Sequence, residues 1–126
     1  MNNIIWRITD THDAVDIINS YSTAVNNIHI LKTINNNIGQ VIDGVKRAEL
    51  RQCDRDYKVG DILVLREWSK NTNKWGLLNT ICGVTHIVSA DVIKSIFGPK
   101  YTNICMLSIQ VLESFKLANV NTEITL

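Results

Sequence analysis

The chain has little of what marks several large protein classes. Only one proline, Pro99, and six glycines occur among 126 residues. No internal repeat and no low-complexity linker is found, so the length reads as one domain. The three cysteines, Cys53, Cys82 and Cys105, form no C-x-x-C pair. That spacing excludes a zinc knuckle and a redox dithiol, and predicts buried or half-buried thiols in a reducing compartment. His12, His29 and His86 are too scattered for a metal-binding helix motif. Neither a metal nor a cofactor is therefore expected. No apolar run approaches the roughly 20 residues that a bilayer-spanning helix needs. No basic segment leads into an apolar one at the N-terminus, so a cytoplasmic protein with no membrane partner is expected. Charge of one sign is also lacking, with a net value of +1. A histone-like binder is excluded, and any nucleic-acid footprint has to come from local clustering.

What is present is an ordinary globular composition, 45% hydrophobic and 20% charged. Residues 1–27 read as a helical appendage. Ile4, Ile5, Trp6 and Ile8 form an apolar opening. Thr9, Asp10 or Thr11 then caps a helix whose Ala14, Ile18, Tyr21 and Val25 share one face. Residues 28–113 form the main body. It begins with a strand at His29 to Lys32 and a helix from Ile34 to Ile42 ended by Gly44. A strand from Lys46 to Arg51 follows, with Ala48 and Leu50 on one face and Arg47, Glu49 and Arg51 on the other. Asp54 to Gly60 connects it, with Tyr57 and Val59 tucked in, to a strand at Ile62 to Trp68. That strand's opening Ile62-Leu63-Val64-Leu65 is apolar on both faces, as in a barrel wall packed on each side. A polar tip, a strand at Leu77 to Val88 bent at Gly83, a short helix at Ala90 to Ile96 and a strand at Ile104 to Glu113 complete the outline. Residues 114–126 read as a tail, anchored at Phe115, fraying from Lys116 onward, with Ile124 able to pair at an edge. The fold class is mainly β with flanking helices, an α+β small barrel.

The densest signal is Gly44 to Trp68, with six basic and five acidic side chains around two short apolar alternations. Within it, Gly44 to Arg51 matches G-x-K-x-x-E-x-R. Glu49 and Arg51 share one strand face. Lys46 has the opposite parity and joins them only if the strand starts irregularly. Such cations suit a phosphate or a base edge, and a carboxylate can accept from an exocyclic amine. The same three side chains can equally form a solvated ladder of ion pairs.

A second constellation runs from Arg66 to Trp75, where Trp68 and Trp75 flank Lys70 and Lys74 on a hairpin tip. The indoles can stack on unpaired bases while the lysines meet phosphates, or the indoles can pack across the hairpin. His29 and Lys32 point to opposite faces of their strand, so at most one reaches a shared cleft.

Taken with Asp54-Arg55-Asp56-Tyr57-Lys58-Val59-Gly60-Asp61 and the following Ile-Leu-Val-Leu-Arg-Glu-Trp, the G-x-K-x-x-E-x-R element resembles the ASCH domain of the PUA-like superfamily. It looks closest to the small bacterial and phage branch described as carrying an RNA-binding-protein signature. His29-Ile30-Leu31-Lys32 resembles that branch's opening His-x-Leu-Lys strand, whereas Cys53 replaces its usual Asn. The resemblance covers residues 28 to 113 and leaves the N-terminal helix outside. It implies a PUA-like barrel, a cleft beside the helix after the first strand, and RNA or a modified nucleotide as ligand. The expected binding residues are Lys32, Lys46, Glu49, Arg51, Arg55, Trp68, Lys70, Lys74 and Trp75. Some relatives are acetylcytidine amidohydrolases that use a Lys, a Thr nucleophile and a Glu. Lys46 matches the lysine, but Glu49 occupies the nucleophile position and has no hydroxyl. Others are described as ribonucleases, a chemistry that Lys46, Arg51 and Tyr57 can support by charge stabilisation and proton transfer; across the enzyme readings the catalytic candidates are Lys46, Glu49 and Tyr57. A phage or mobile-element module with a protein partner is a third expectation.

Overall fold

The computed structural model describes residues 7–126. The apolar opening at Ile4, Ile5 and Trp6 lies outside the described residues. Among these, the elements run β1 (Arg7–Thr9), α1 (Thr11–Asn19), β2 (Ile28–Ile34), α2 (Asn35–Ile42), β3 (Ala48–Gln52), β4 (Ile62–Ser69), β5 (Lys74–Val88), α3 (Ala90–Phe97) and β6 (Ile104–Leu117). The strands form one sheet in the order β1-β6-β5-β4-β2, with β3 also paired to β6. β6 holds β3 antiparallel at Ile104 to Ser108 and β1 parallel at Phe115 to Leu117. The sheet curls into a half-barrel, leaving β2 and β3 as facing edges that do not pair with each other. The long β5 takes this curve through register shifts at Ile81/Cys82 and Val84/His86, on either side of Gly83.

Two cores form on the two faces of this sheet. One gathers Leu31, Leu63, Leu65, Cys82, Val84, Cys105, Leu107 and Ile109 beneath Val41 of α2. The other gathers Ile62, Val64, Ile81, Phe115 and Leu117 beneath Ala14 and Ile18 of α1 and Ile124 of the tail. β4 is thus buried on both sides from Ile62 to Leu65, as its unbroken apolar run predicts. Full burial of each such side chain is worth about 1.5–3 kcal/mol.

Local chemistry sets the helix ends. Asp10 caps α1 by accepting from the Asp13 amide at 2.8 Å. The helix stops at Asn19, short of the expected Val25, which is 91% exposed. Thr23 and Asn26 account for this. The Thr23 hydroxyl accepts from the Asn26 amide, and the Asn26 carboxamide accepts from the Thr23 amide. These side chains offer the backbone a turn in place of helix. At the end of α2, Gly44 takes φ of +76°. Its amide donates to Val41 and that of Val45 to Gln40, so the chain reverses through a Schellman turn.

Two further expectations are corrected. Val59 is not tucked in but 63% exposed, because its neighbour Gly60 turns at φ of +94° and carries the chain outward before Asp61. The tail does not fray from Lys116. β6 continues to Leu117, and Ile124 is buried without joining a strand. The tail is fixed by Asn121 N–H to Trp75 O at 2.8 Å and by the Arg66 guanidinium to Thr122 O at 2.6 Å. No helix among the described residues is long and apolar enough to cross a membrane.

Candidate functional site

The open seam between β2 and β3 forms a concavity. It is a cleft of about 600 Å3 lined by both strand edges, the loop at Asp54 to Tyr57, and the tail at Glu123 and Ile124. The register explains how charged side chains reach it. Glu49 lies opposite Leu107 and Arg51 opposite Cys105, so both face the α2-covered core, while Leu50 faces out and is 68% exposed. The alternation expected for Glu49, Leu50 and Arg51 is therefore present, with the charged side inward, whereas Arg47 precedes β3, stays exposed and donates back to Gly44 O.

Inward charge demands partners. The Glu49 carboxylate, 4% exposed, is held by the Lys46 ammonium on one oxygen and by Arg51 Nε at 3.1 Å on the other. β3 starts only at Ala48, so Lys46 precedes the regular strand and turns back to donate to Ala48 O as well. That irregularity lets Lys46 join the other two despite its parity. The three residues meet, yet they do not share the cleft. Arg51 lines it; Lys46 lines a separate hollow of about 480 Å3 beside Val41, Ile109 and Val111; Glu49 is buried between them.

Arg51 also spans the seam, donating through Nη2 to Lys32 O on β2 at 3.1 Å. Arg55 reaches Ile30 O at 3.4 Å, near the limit of a hydrogen bond, and stands 4.0 Å from Asp54. Lys32 projects outward and rests over the Trp68 ring at 3.7 Å from its centre, with Trp75 at 5.6 Å. Trp68 and Trp75 are register partners packed edge to face at 4.9 Å, the hairpin-packing arrangement. Lys74 lines a small hollow behind the hairpin, and Lys70 sits exposed at its tip; neither borders the cleft. Trp75 does, whereas Trp68 supports Lys32 from below.

Tyr57 lines the loop side, its ring tilted against His29 at 4.8 Å. Burial raises its phenol above the ordinary value, with Arg55 opposing and Asp54 reinforcing. The hydroxyl is thus a proton donor throughout the neutral range. Burial pushes the Cys82 and Cys105 thiols up to about 12, so they behave as inert core atoms.

Sequence reasoning passed over Arg66, Glu123 and Ile124 as site residues. Arg66 is 1% exposed, donates to Asn79 Oδ1 at 2.9 Å, and lies 4.1 Å from the Trp75 ring centre. Burial lowers its guanidinium to about 10, with Glu123 acting in the opposite sense, so it stays charged at neutral pH. Glu123 accepts the Trp75 indole N–H at 3.0 Å. An isolated isoleucine in a polar tail was the available signal for this wall.

A family model described as a domain of unknown function, DUF3850, matches residues 28–98, more than half of the chain. A similar protein is found in Escherichia phage P2, described as an uncharacterized 12.9 kDa protein in the GpA 3′ region. The two are 46% identical over 41 residues, 32% of this chain and 38% of the phage protein. The chain thus matches well under two thirds of that relative's length. The matched family segment begins at β2 and contains both edges of the seam, Tyr57, Arg66 and the hairpin: the chain belongs to the DUF3850 family.

Proposed function

We propose that this chain binds RNA or a nucleotide in the seam cleft, and that its half-barrel is a PUA-like domain of the ASCH type. One observation carries the reading. Lys32, Arg51 and Arg55, from three separate segments, converge on a cleft that also presents Trp75 and Tyr57. Cations that can chelate phosphate, beside aromatic surface, are what single-stranded nucleic acid or a nucleotide requires. The volume falls in the range of small-ligand sites, about 300–1,000 Å3. Arg55 is held by a long bond to Ile30 O and a stretched 4.0 Å pairing with Asp54, and among the described residues Lys32 has an indole rather than a carboxylate as neighbour. Both are available to an incoming anion at little cost. Three free thiols suit a reducing compartment, which supports the proposal of a cytoplasmic location.

Hydrolysis ranks below binding. Lys46, the lysine that an amidohydrolase reading requires, is engaged by Ala48 O and Glu49 and lies off the cleft.

The test is titration of single-stranded RNA into the parent, Lys32→Ala and Arg55→Ala proteins at several salt concentrations. Each variant should bind more weakly, with the slope of log affinity against log salt reduced by about 0.7 per lost phosphate contact. Unchanged affinity and slope in both folded variants would remove the cleft from consideration.

A further inference from the structure

The cleft contains an exposed carboxylate, Glu123, whose charge favours the protonated form of buried Arg66. Glu123 lies among the cations of the seam, where it opposes an anionic ligand. The other acid there, Asp54, has Arg55 beside it, whereas among the described residues no lysine or arginine reaches Glu123 at ion-pair distance.

Its position is nonetheless fixed from both sides. Thr122 O accepts from buried Arg66, the Asn121 amide donates to Trp75 O, and Ile124 is 8% exposed in the core. One Glu123 oxygen, Oε1, takes the Trp75 indole N–H. The same indole has Lys32 5.6 Å from its ring centre. A cation and a carboxylate therefore flank one aromatic ring, within one cleft, on an anchored backbone. Phosphate and base impose that pair of demands: negative charge at one end, hydrogen-bond donors at the other.

We propose that Glu123 reads the base. A nucleotide whose phosphate sits at Lys32, Arg51 and Arg55 presents an exocyclic amine to the Glu123 carboxylate, so the cleft selects a base that carries one, such as cytosine or adenine, over uracil. Uracil offers only a ring N–H between two carbonyl oxygens, which face the carboxylate unfavourably. This inference rests on the cleft being a nucleotide site.

The experiment titrates the full chain with CMP, AMP and UMP, and in parallel with oligo(C) and oligo(U). It uses the parent, Glu123→Gln and Glu123→Ala, each checked for an unchanged thermal melt. CMP and AMP should bind the parent about tenfold more tightly than UMP. That preference should fall below about threefold in both variants. The monophosphate and oligonucleotide arms show whether a free nucleotide or an RNA strand is the ligand. If all ligands bind the parent but without preference for an amine, or if Glu123→Gln keeps the preference, the base-reading role is overturned and the cleft survives. If nothing binds the parent, both fall together.

Discussion

His29 Nε2 lies 2.8 Å from the Asp61 carboxylate, tying β2 to the turn before β4 across 32 residues of chain. Asp61 also accepts the amides of Asn27 at 3.0 Å and Lys58 at 2.9 Å. The bond sits where the parallel β2–β4 ladder begins, at Ile28 opposite Ile62. It also sets His29 against Tyr57, which forms the loop wall of the cleft. Two separated sequence signals, the His-x-Leu-Lys strand and the Val-Gly-Asp turn, are thus two halves of one buried contact.

This contact makes stability depend on acid. Burial alone would raise the Asp61 carboxyl, but the Asn27 amide, the His29 imidazole and the Lys58 amide together hold it below the ordinary carboxylate range. Below its unfolded value near 3.9 the unfolded chain binds the extra proton first. The contribution is therefore complete at neutral pH and is lost as pH falls through the lowered folded value. Asp61→Asn should lose stability at pH 7, with the gap to the parent narrowing below about pH 4. Urea unfolding at a series of pH values measures it; a constant gap would refute the assignment. Asp61→Ala should cost about 3 kcal/mol at pH 7.

Lys46 and Arg51 should separate experimentally, although both hold Glu49. Arg51→Ala is expected to weaken RNA binding and lower the melting temperature. Lys46→Ala should lower the melting temperature and leave affinity and salt slope close to the parent, because Lys46 lies in another hollow. Glu49→Ala removes the shared carboxylate and should destabilise by about 3 kcal/mol. Equal binding losses in the two lysine and arginine variants would place both on the ligand.

Gly76 is demanded by its neighbour. β5 opposes Glu67 with Gly76, Leu77 and Leu78 at a register shift between Arg66 and Trp68. A Cβ at Gly76 would overlap the Glu67 carboxylate, which accepts from the Leu78 amide. Gly76→Ala should destabilise by about 1–2 kcal/mol in the parent and by less in a Glu67→Ala background. A double-mutant cycle of thermal melts reads the coupling. Additive losses would mean that the glycine answers to something else.

The tail should loosen as a unit. Ile124→Ala removes its apolar anchor from the core that gathers beneath α1 and should cost about 2 kcal/mol locally. Amide hydrogen exchange at residues 118–126 should accelerate at least tenfold while the β4 and β5 amides hold their protection. Uniform acceleration across the sheet would show that the tail is part of the global unit.

Much of the fold was legible because it is written in local chemistry. Gly44 can end a helix wherever that helix packs, since glycine takes the positive φ of the turn at no steric cost. The apolar run Ile62 to Leu65 has to be covered on both faces in any sheet. Alternation in β3 put Glu49 and Arg51 on one side, because side-chain period is fixed by the strand itself. What those rules leave open is which side is inside. Parity is blind to the partner strand, and only pairing with β6 turned the charged face inward and made Glu49 a buried clamp between two cations. The cleft has the same origin. It exists because β2 and β3 end as unpaired edges of one curled sheet, a consequence of long-range register that no window of sequence contains. Ile124 looked like a stray apolar residue in a polar tail; burial in the core that includes Ala14, Ile18, Phe115 and Leu117 made it the anchor beside which Glu123 meets Trp75. The sequence by itself settled most of the central strands and which of their residues share a face, while the tertiary structure decided which charges meet, because an ion pair or a cleft wall depends on distances between segments that share no local geometry.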